Sequence, residues 1–260
     1  PDPSSQIACS IGGNVAENSG GVHCLKYGLT IHNVLGVKLL LANGEELEIG
    51  GGALDAPGYD LLAVINGSEG LLGLVTEVTV KLLPRPPVAQ VLLAAFPQVE
   101  AAAAAVAGII EAGIIPAGLE MMDQLATRCA EDYAKCGYPA DAAAILLCEL
   151  DGEATEVAAQ RARVEGLLDR FGASEVRVSR DEAERLGFWK GRKSAFPAIG
   201  RIAPDYYCMD GTIPRRQLSH VLTRIAELSI EFGLPVANVF HAGDGNLHPL
   251  IAYDANDDEQ

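Results

Sequence analysis

The sequence predicts an α+β protein built in two parts. Three observations carry this reading. Up to about Pro87 the chain is rich in glycine and in short β-branched runs, the composition of strands and tight turns. The stretch Leu83-Pro84-Arg85-Pro86-Pro87-Val88 then interrupts regular structure and marks a boundary. From Ala89 onward, apolar strand-like runs alternate with stretches of helical period. The expected division is residues 1–87 and 88–260, with the sheet of the second part carrying helices on one side.

In the first part, residues 36–50 form two apolar runs around Asn43-Gly44, a dipeptide suited to a type I′ turn, and so a hairpin. Residues 74–83 alternate and are β-branched, a further strand. Between them, residues 65–73 form a glycine-spaced loop. In the second part, residues 89–96 and 142–150 read as strands, and 174–179 as a short one. Residues 98–113 and 153–172 read as helices closed by Gly113 and Gly172. Residues 114–141 receive no element. A charged helical stretch covers 181–196, DYYCMDGTIP follows at 205–214, and a long helix begins at Pro214. Two strands, 236–242 and 247–253, end the pattern.

The 260 residues are 49% hydrophobic, which supports a sizeable core, and carry a net charge of −16. Such an acidic chain is unsuited to nucleic acid, whose phosphates need a basic face. An anionic substrate then needs local Arg or Lys, because the global field repels it. Six cysteines, at 9, 24, 129, 136, 148 and 208, form no C-x-x-C pair. They read as reduced, mostly buried thiols of a cytoplasmic protein, with no spacing for a four-cysteine zinc or iron–sulfur site. No signal peptide and no membrane-spanning apolar run is present. The chain opens without Met at PDPSSQIACSIGGN and stops at DANDDEQ, so truncation at both ends is expected.

The strongest chemical signal is HAGDGNLH, residues 241–248. Apolar strands flank it, and Gly243 and Gly245 permit a tight reversal. The reversal brings His241 and His248, at facing strand ends, close together. Neutral imidazoles are good ligands for zinc and similar ions, and Asp244 or Asn246 is placed to orient them. Two ligands are too few for a closed structural site, so another must come from elsewhere, leaving positions for a substrate. The bland alternative is two polar histidines beside a hairpin turn, and the pairing weighs against it.

A second signal is SIGGNVAENSGG, residues 10–21, where paired glycines bracket Asn14, Asn18 and Ser19. Such a segment lets backbone N–H groups approach a flat or phosphorylated ligand, although a plain glycine-rich turn fits as well. It is not a Rossmann fingerprint. The loop at 67–73 adds a second glycine-spaced segment and points to a large cofactor. Arg192 and Lys193, after Trp189, are suited to a substrate carboxylate, though from spacing alone a solvated basic helix face is the simpler reading. Arg215 and Arg216 read as surface charges at a helix start. His23, His32 and His220 have no partner pattern and suit core or surface roles.

Four stretches, residues 11–28, 66–82, 193–216 and 238–251, together resemble the FAD-linked 2-hydroxyacid oxidases and dehydrogenases of the vanillyl-alcohol-oxidase type. The likeness spans essentially the whole chain. MDGTIPRR favours the glycolate oxidases of that family over its D-lactate and D-2-hydroxyglutarate dehydrogenases. The resemblance implies that residues 1–87 are the second half of a VAO/PCMH-type FAD-binding domain. It implies that residues 88–260 are a ferredoxin-like antiparallel-sheet cap, incomplete at its end. Ser4, Ser10, Gly12, Gly13, Asn14, Asn18, Ser19, Gly20, Gly21, Glu69, Gly70, Gly73 and Val75 would line FAD. His241 and His248 would hold a divalent metal (zinc, manganese or iron), Arg192 would pair with the substrate carboxylate, and Asn246 would help fix the substrate.

The implied reaction is oxidation of a small 2-hydroxy acid, glycolate to glyoxylate or D-lactate, with hydride passing to flavin N5. Implied partners are a second flavin-type subunit and an iron–sulfur subunit, at the inner face of the cell membrane. Family members also carry an earlier glycine-rich pyrophosphate segment and a later Glu-His-Gly segment, the source of a third metal ligand and a base. Both would lie outside these residues, so weak or absent FAD binding and a weakened metal site are expected. Two other readings stay open: a non-catalytic module that binds metal or partner subunits, and a flavin-free metal-dependent hydrolase.

Overall fold

Ser10 turns the glycine-rich start of the chain into a helix. Its hydroxyl accepts a hydrogen bond from the Gly13 N–H at 3.0 Å, an N-cap that satisfies one orphan donor of α1, Ile11–Glu17. The computed structural model describes residues 2–53 and 58–260. It divides into two compact units, Pro1–Arg85 and Pro86–Gln260.

In the first unit α1 is followed by α2 (Cys24–Tyr27), β1 (Val34–Leu40), β2 (Glu46–Gly50), α3 (Leu61–Ile65) and β3 (Leu74–Val80). The strands make an antiparallel sheet in the order β2-β1-β3. Val15, Val34, Val37, Leu39, Ile49 and Ile65 form its core. The expected hairpin is present, but its turn is not type I′. That turn needs positive φ at both central residues, and here Gly44 has it (85°) while Asn43 does not. The Gly44 N–H instead donates to the Leu41 carbonyl at 2.9 Å, and Asn43 Oδ1 accepts from the Glu45 N–H.

The second unit begins with β4 (Val88–Phe96), α4 (Val99–Glu111), β5 (Gly118–Asp123), α5 (Gln124–Ala134), β6 (Ala144–Gly152), α6 (Ala154–Arg170) and β7 (Glu175–Val178). It continues with α7 (Glu182–Lys193), α8 (Ala195–Ile199), β8 (Asp205–Cys208), β9 (Gly211–Thr212), α9 (Leu218–Phe232), β10 (Val236–His241) and β11 (Asn246–Tyr253). One antiparallel sheet takes the order β7-β4-β6-β5-β10-β11-β8, with β9 beside β11. Its first four strands, with α4 and α6 as the two crossovers, are the expected ferredoxin-like arrangement.

Helices cover both faces of this sheet, not one. Every residue from Ala144 to Asp151 is buried, and successive side chains of a strand point to opposite faces. Packing joins α4, α6 and α9 on the one hand and α5, α7 and α8 on the other. Only Cys129 and Cys148 are buried, and Cys9 and Cys208 are exposed, so the thiols are not mostly interior. Among the described residues no helix is long and apolar enough to cross a membrane.

Asp123 ties three elements of the second unit together. Its Oδ1 caps α5 through the Ala126 N–H at 2.9 Å, and its Oδ2 accepts from both the backbone and the amide nitrogen of Asn238 on β10 at 2.8 Å. Burial pushes its carboxyl up to about 6 from 3.8, against those hydrogen bonds. Between those values the folded chain keeps a proton that the unfolded chain has released. Stability therefore falls as pH rises through this window, by on the order of 3 kcal/mol. Urea unfolding at intervals across that range will show the slope in the wild type, and Asp123→Asn, which cannot titrate, will lack it.

Candidate functional site

The two histidines of HAGDGNLH lie on neighbouring strands, β10 and β11, in a register that pairs His241 with Asn246 and Val239 with His248. His248 therefore sits two residues inside its strand, not at the end facing His241. The two rings are diagonal neighbours on one face of the sheet. Their centroids are 5.1 Å apart and their planes nearly perpendicular, at 89°.

The turn between the strands is fastened from three sides. The Gly243 N–H donates to the Leu119 carbonyl of β5 at 2.9 Å. Arg215 Nη1 donates to the Gly243 carbonyl at 2.8 Å, so this arginine is a clamp on the turn and not merely a surface charge. The Ile213 N–H donates to the Gly245 carbonyl at 2.9 Å. Gly245 itself has φ 80°, and a Cβ there would lie 2.4 Å from the Ile213 carbonyl oxygen, so only glycine fits.

Beside His241, on the neighbouring strand, lies a residue that sequence reasoning did not select. Glu120, on β5, is 1% exposed. Its two oxygens lie 2.8 and 3.0 Å from His241 Nδ1. Arg192 Nε donates to Oε2 at 2.9 Å, and Nη2 lies 2.7 Å from the same oxygen. Arg192 is thus buried in a triad, and the reading of it as part of a solvated helix face is overturned. The last turn of α7 reaches this depth because Gly191 lies against Cys136 and Tyr138. A Cβ at Gly191 would come 2.5 Å from Cys136 Sγ and 2.6 Å from the Tyr138 ring. The Tyr138 hydroxyl donates to the Phe188 carbonyl of the same helix.

The electrostatics follow from this packing. Burial raises Glu120, but the charges and hydrogen bonds of His241 and Arg192 outweigh it and hold the carboxyl below its ordinary value. Burial lowers His241, yet the Glu120 carboxylate prevails and raises it. Burial and the neighbouring His241 push His248 down to about 4. His248 Nδ1 is 3.5 Å from Asp210 Oδ1, and the Phe196 ring packs edge-on at 6.0 Å. Beside them Asp244 Oδ1 accepts from the Asn246 N–H at 3.2 Å, and the Asn246 side-chain oxygen is buried with no protein partner. Among the described residues no three or more His, Cys, Asp and Glu side chains are grouped to hold a metal.

In the first unit the two glycine-rich segments come together. The Gly67 N–H donates to the Val15 carbonyl and the Glu69 N–H to the Ala16 carbonyl, both at 2.9 Å, docking the 67–73 loop on the end of α1. Asn14 is buried, and its carbonyl accepts from the Ser19 N–H at 2.9 Å. Asn18 closes α1 in the left-handed conformation, its Oδ1 accepting from the Ile31 N–H. The protein's own packing constrains several glycines here, Gly21 most firmly. A Cβ on Gly12 would meet the Val75 carbonyl at 3.3 Å, and one on Gly21 would meet Asp2 at 2.5 Å. Gly20 lies against Leu29, and Gly73 against the Leu40 carbonyl. Ser4, Ser10, Gly13, Glu69 and Gly70 are exposed. His23, which showed no partner pattern, pairs with Asp2 at 2.8 Å.

Comparison with known proteins adds the family. Residues 85–260 match the model for FAD linked oxidases, C-terminal domain, and residues 1–50 match that for an FAD binding domain. Among curated relatives, the glycolate oxidase subunit GlcD of Escherichia coli (strain K12) is 66% identical over 99% of this chain and 52% of its own length. The glycolate oxidase subunit GlcD of Bacillus subtilis (strain 168) is 41% identical over 100% of this chain and 56% of its own. The chain thus spans about half the length of the curated relatives it matches. Among solved structures, an alkyldihydroxyacetonephosphate synthase shares the fold, with a TM-score of 0.78 at 18% identity, covering 96% of this chain and 52% of that one. With the whole second unit inside one family model, the chain belongs to the FAD-linked oxidases.

Proposed function

We propose that this chain supplies the substrate-holding cap and part of the flavin site of an enzyme that oxidises a small 2-hydroxy acid, glycolate or D-lactate. The observation that carries the reading is the gathering of His241 and His248 from the sheet and Arg192 from α7 around the buried Glu120. In a chain of net charge −16, this is the local cationic and metal-ligating patch that an anionic hydroxy acid needs. The names of the relatives support the substrate class.

The donor set fits a divalent ion such as zinc, manganese or iron. It offers two nearby imidazoles, one of them neutral at pH 7, and beside them Asn246 keeps a buried amide oxygen with no hydrogen-bond partner that a bound substrate would satisfy. In the first unit, the exposed hydroxyls of Ser4 and Ser10 and the joined loops around Gly13 and Gly70 fit the edge of FAD. When bound, FAD supplies the two-electron acceptor and the metal supplies positive charge for the substrate oxygens.

The protein's own work is placement. Glu120 engages Nε and Nη2 of Arg192, and the remaining N–H donors of the fork are the ones to meet a carboxylate. His241 and His248 hold the ion, and Asn246 fixes the substrate from the turn. Ser10, Gly12, Gly13, Asn14, Asn18, Ser19, Gly20 and Gly21 shape the flavin edge with Glu69, Gly70, Gly73 and Val75. The subunit names of the relatives support an assembly, with a second flavin-type subunit and an iron–sulfur subunit at the inner face of the cell membrane as the proposed partners.

The test is glycolate- and D-lactate-driven dye reduction by a polypeptide of the relatives' full length that contains this chain. Chelation is expected to abolish turnover, and reduction that ignores the chelator removes the metal from the reading. Arg192→Lys is expected to lower kcat/KM by about 10- to 100-fold, because a point charge replaces the planar fork, and steady-state kinetics will measure it. His248→Ala is expected to weaken binding of Zn2+ by more than about tenfold in a calorimetric titration, since it removes one of two imidazole ligands.

A further inference from the structure

Glu120 reaches His241 and Arg192 with the same carboxylate, from a strand that neither occupies. Both of its oxygens already face nitrogen donors, His241 Nδ1 on both and the Arg192 guanidinium on Oε2. It is therefore unsuited to be a metal ligand itself. We propose that Glu120 is the positioning residue of the site: it locks His241 with the proton on Nδ1, presents Nε2 as the ligand atom, and pins the Arg192 guanidinium beside it. The inference rests on the metal reading above and gives it a cause.

The chemistry is directional. A carboxylate paired with a guanidinium only accepts hydrogen bonds, so an imidazole nitrogen 2.8 and 3.0 Å from its oxygens must carry the proton. In the neutral ring the lone pair then resides on Nε2, the atom that a metal takes. His248 lacks an equal hold. Its Nδ1 is 3.5 Å from Asp210, whose side chain is 67% exposed. His241 is thus the fixed ligand and His248 the adjustable one. Because one carboxylate holds both His241 and Arg192, the spacing between the ion and the substrate-binding cation is set at a single residue.

The test uses the chain as it stands, with Zn2+ as the probe. Nitrogen-15 spectra of the metal-free imidazoles, taken above their titration, are expected to show His241 with its proton on Nδ1. Glu120→Gln offers an amide that can donate as well as accept, so the tautomers are expected to mix and Zn2+ affinity to fall about 10- to 100-fold. That variant leaves Arg192 buried and unpaired, so Glu120→Gln is also made together with Arg192→Met, with the same two changes expected. Asp210→Asn is expected to change affinity by less than about threefold, in line with an exposed, long contact. A folded Glu120→Gln chain that binds Zn2+ like the wild type overturns the proposal, as does a wild-type His241 protonated on Nε2. If neither variant folds, the wild-type spectrum decides between those outcomes. If the wild-type chain binds no Zn2+, the titration is repeated on a polypeptide of the relatives' full length, where absence of binding sinks the metal reading, and the spectrum still judges whether Glu120 fixes the ring.

Discussion

A carboxylate in the middle of a sheet has to be neutralised where it lies. Glu120 is held by Arg192 from α7 and by His241 from β10, so one buried charge joins two strands and a helix. Removing one partner of such a group typically costs about 3–5 kcal/mol, because the other charge stays buried without compensation. The surrounding geometry is consistent with that demand. Gly191 lets α7 close against Cys136 and Tyr138, which sets how deep Arg192 reaches. The Gly243 bond to Leu119 brings the histidine turn against the strand that carries Glu120.

The first unit relies on a different constraint, close approach of backbone to backbone. Gly21 stands where a side chain would strike Asp2, and Gly12 and Gly73 pack tightly on the Val75 and Leu40 carbonyls. Their absence of a Cβ is explained by internal packing, which leaves the exposed hydroxyls and the joined loops as the features that speak for a ligand. A glycine pattern in a sequence therefore reports two needs at once, and only the structure separates them.

Much of this was legible in the sequence. The long helices and the β-branched strands carry clear periods, and the paired histidines around two glycines marked the site. The break near Pro86 stood out by composition. What escaped has physical reasons. Gly118-Leu119-Glu120-Met121-Met122-Asp123 is a short strand buried on both faces, so it shows no alternation, and a glutamate in its centre argues against burial. Its partner His241 is 121 residues away, a separation that local pattern cannot bridge. The second helix layer was hidden because an amphipathic helix does not declare which sheet face it covers. The uninterrupted apolar run in β6 did carry that signal. The helix α1 was masked by two glycines of poor helix propensity, which the Ser10 cap and the fit against Val75 override.

The clamps on the histidine turn have a consequence for selectivity. With Leu119, Ile213 and Arg215 all bonded to this turn, its backbone is ordered before any ion arrives. If the proposed ion binds there, the protein would lose little entropy in ordering the turn, and the turn would yield little to fit it. Discrimination among divalent cations would then fall on coordination geometry rather than on the softness of a loop that wraps whatever it meets. On that reading rigidity would act as a filter, written in hydrogen bonds to a turn rather than in the ligands themselves.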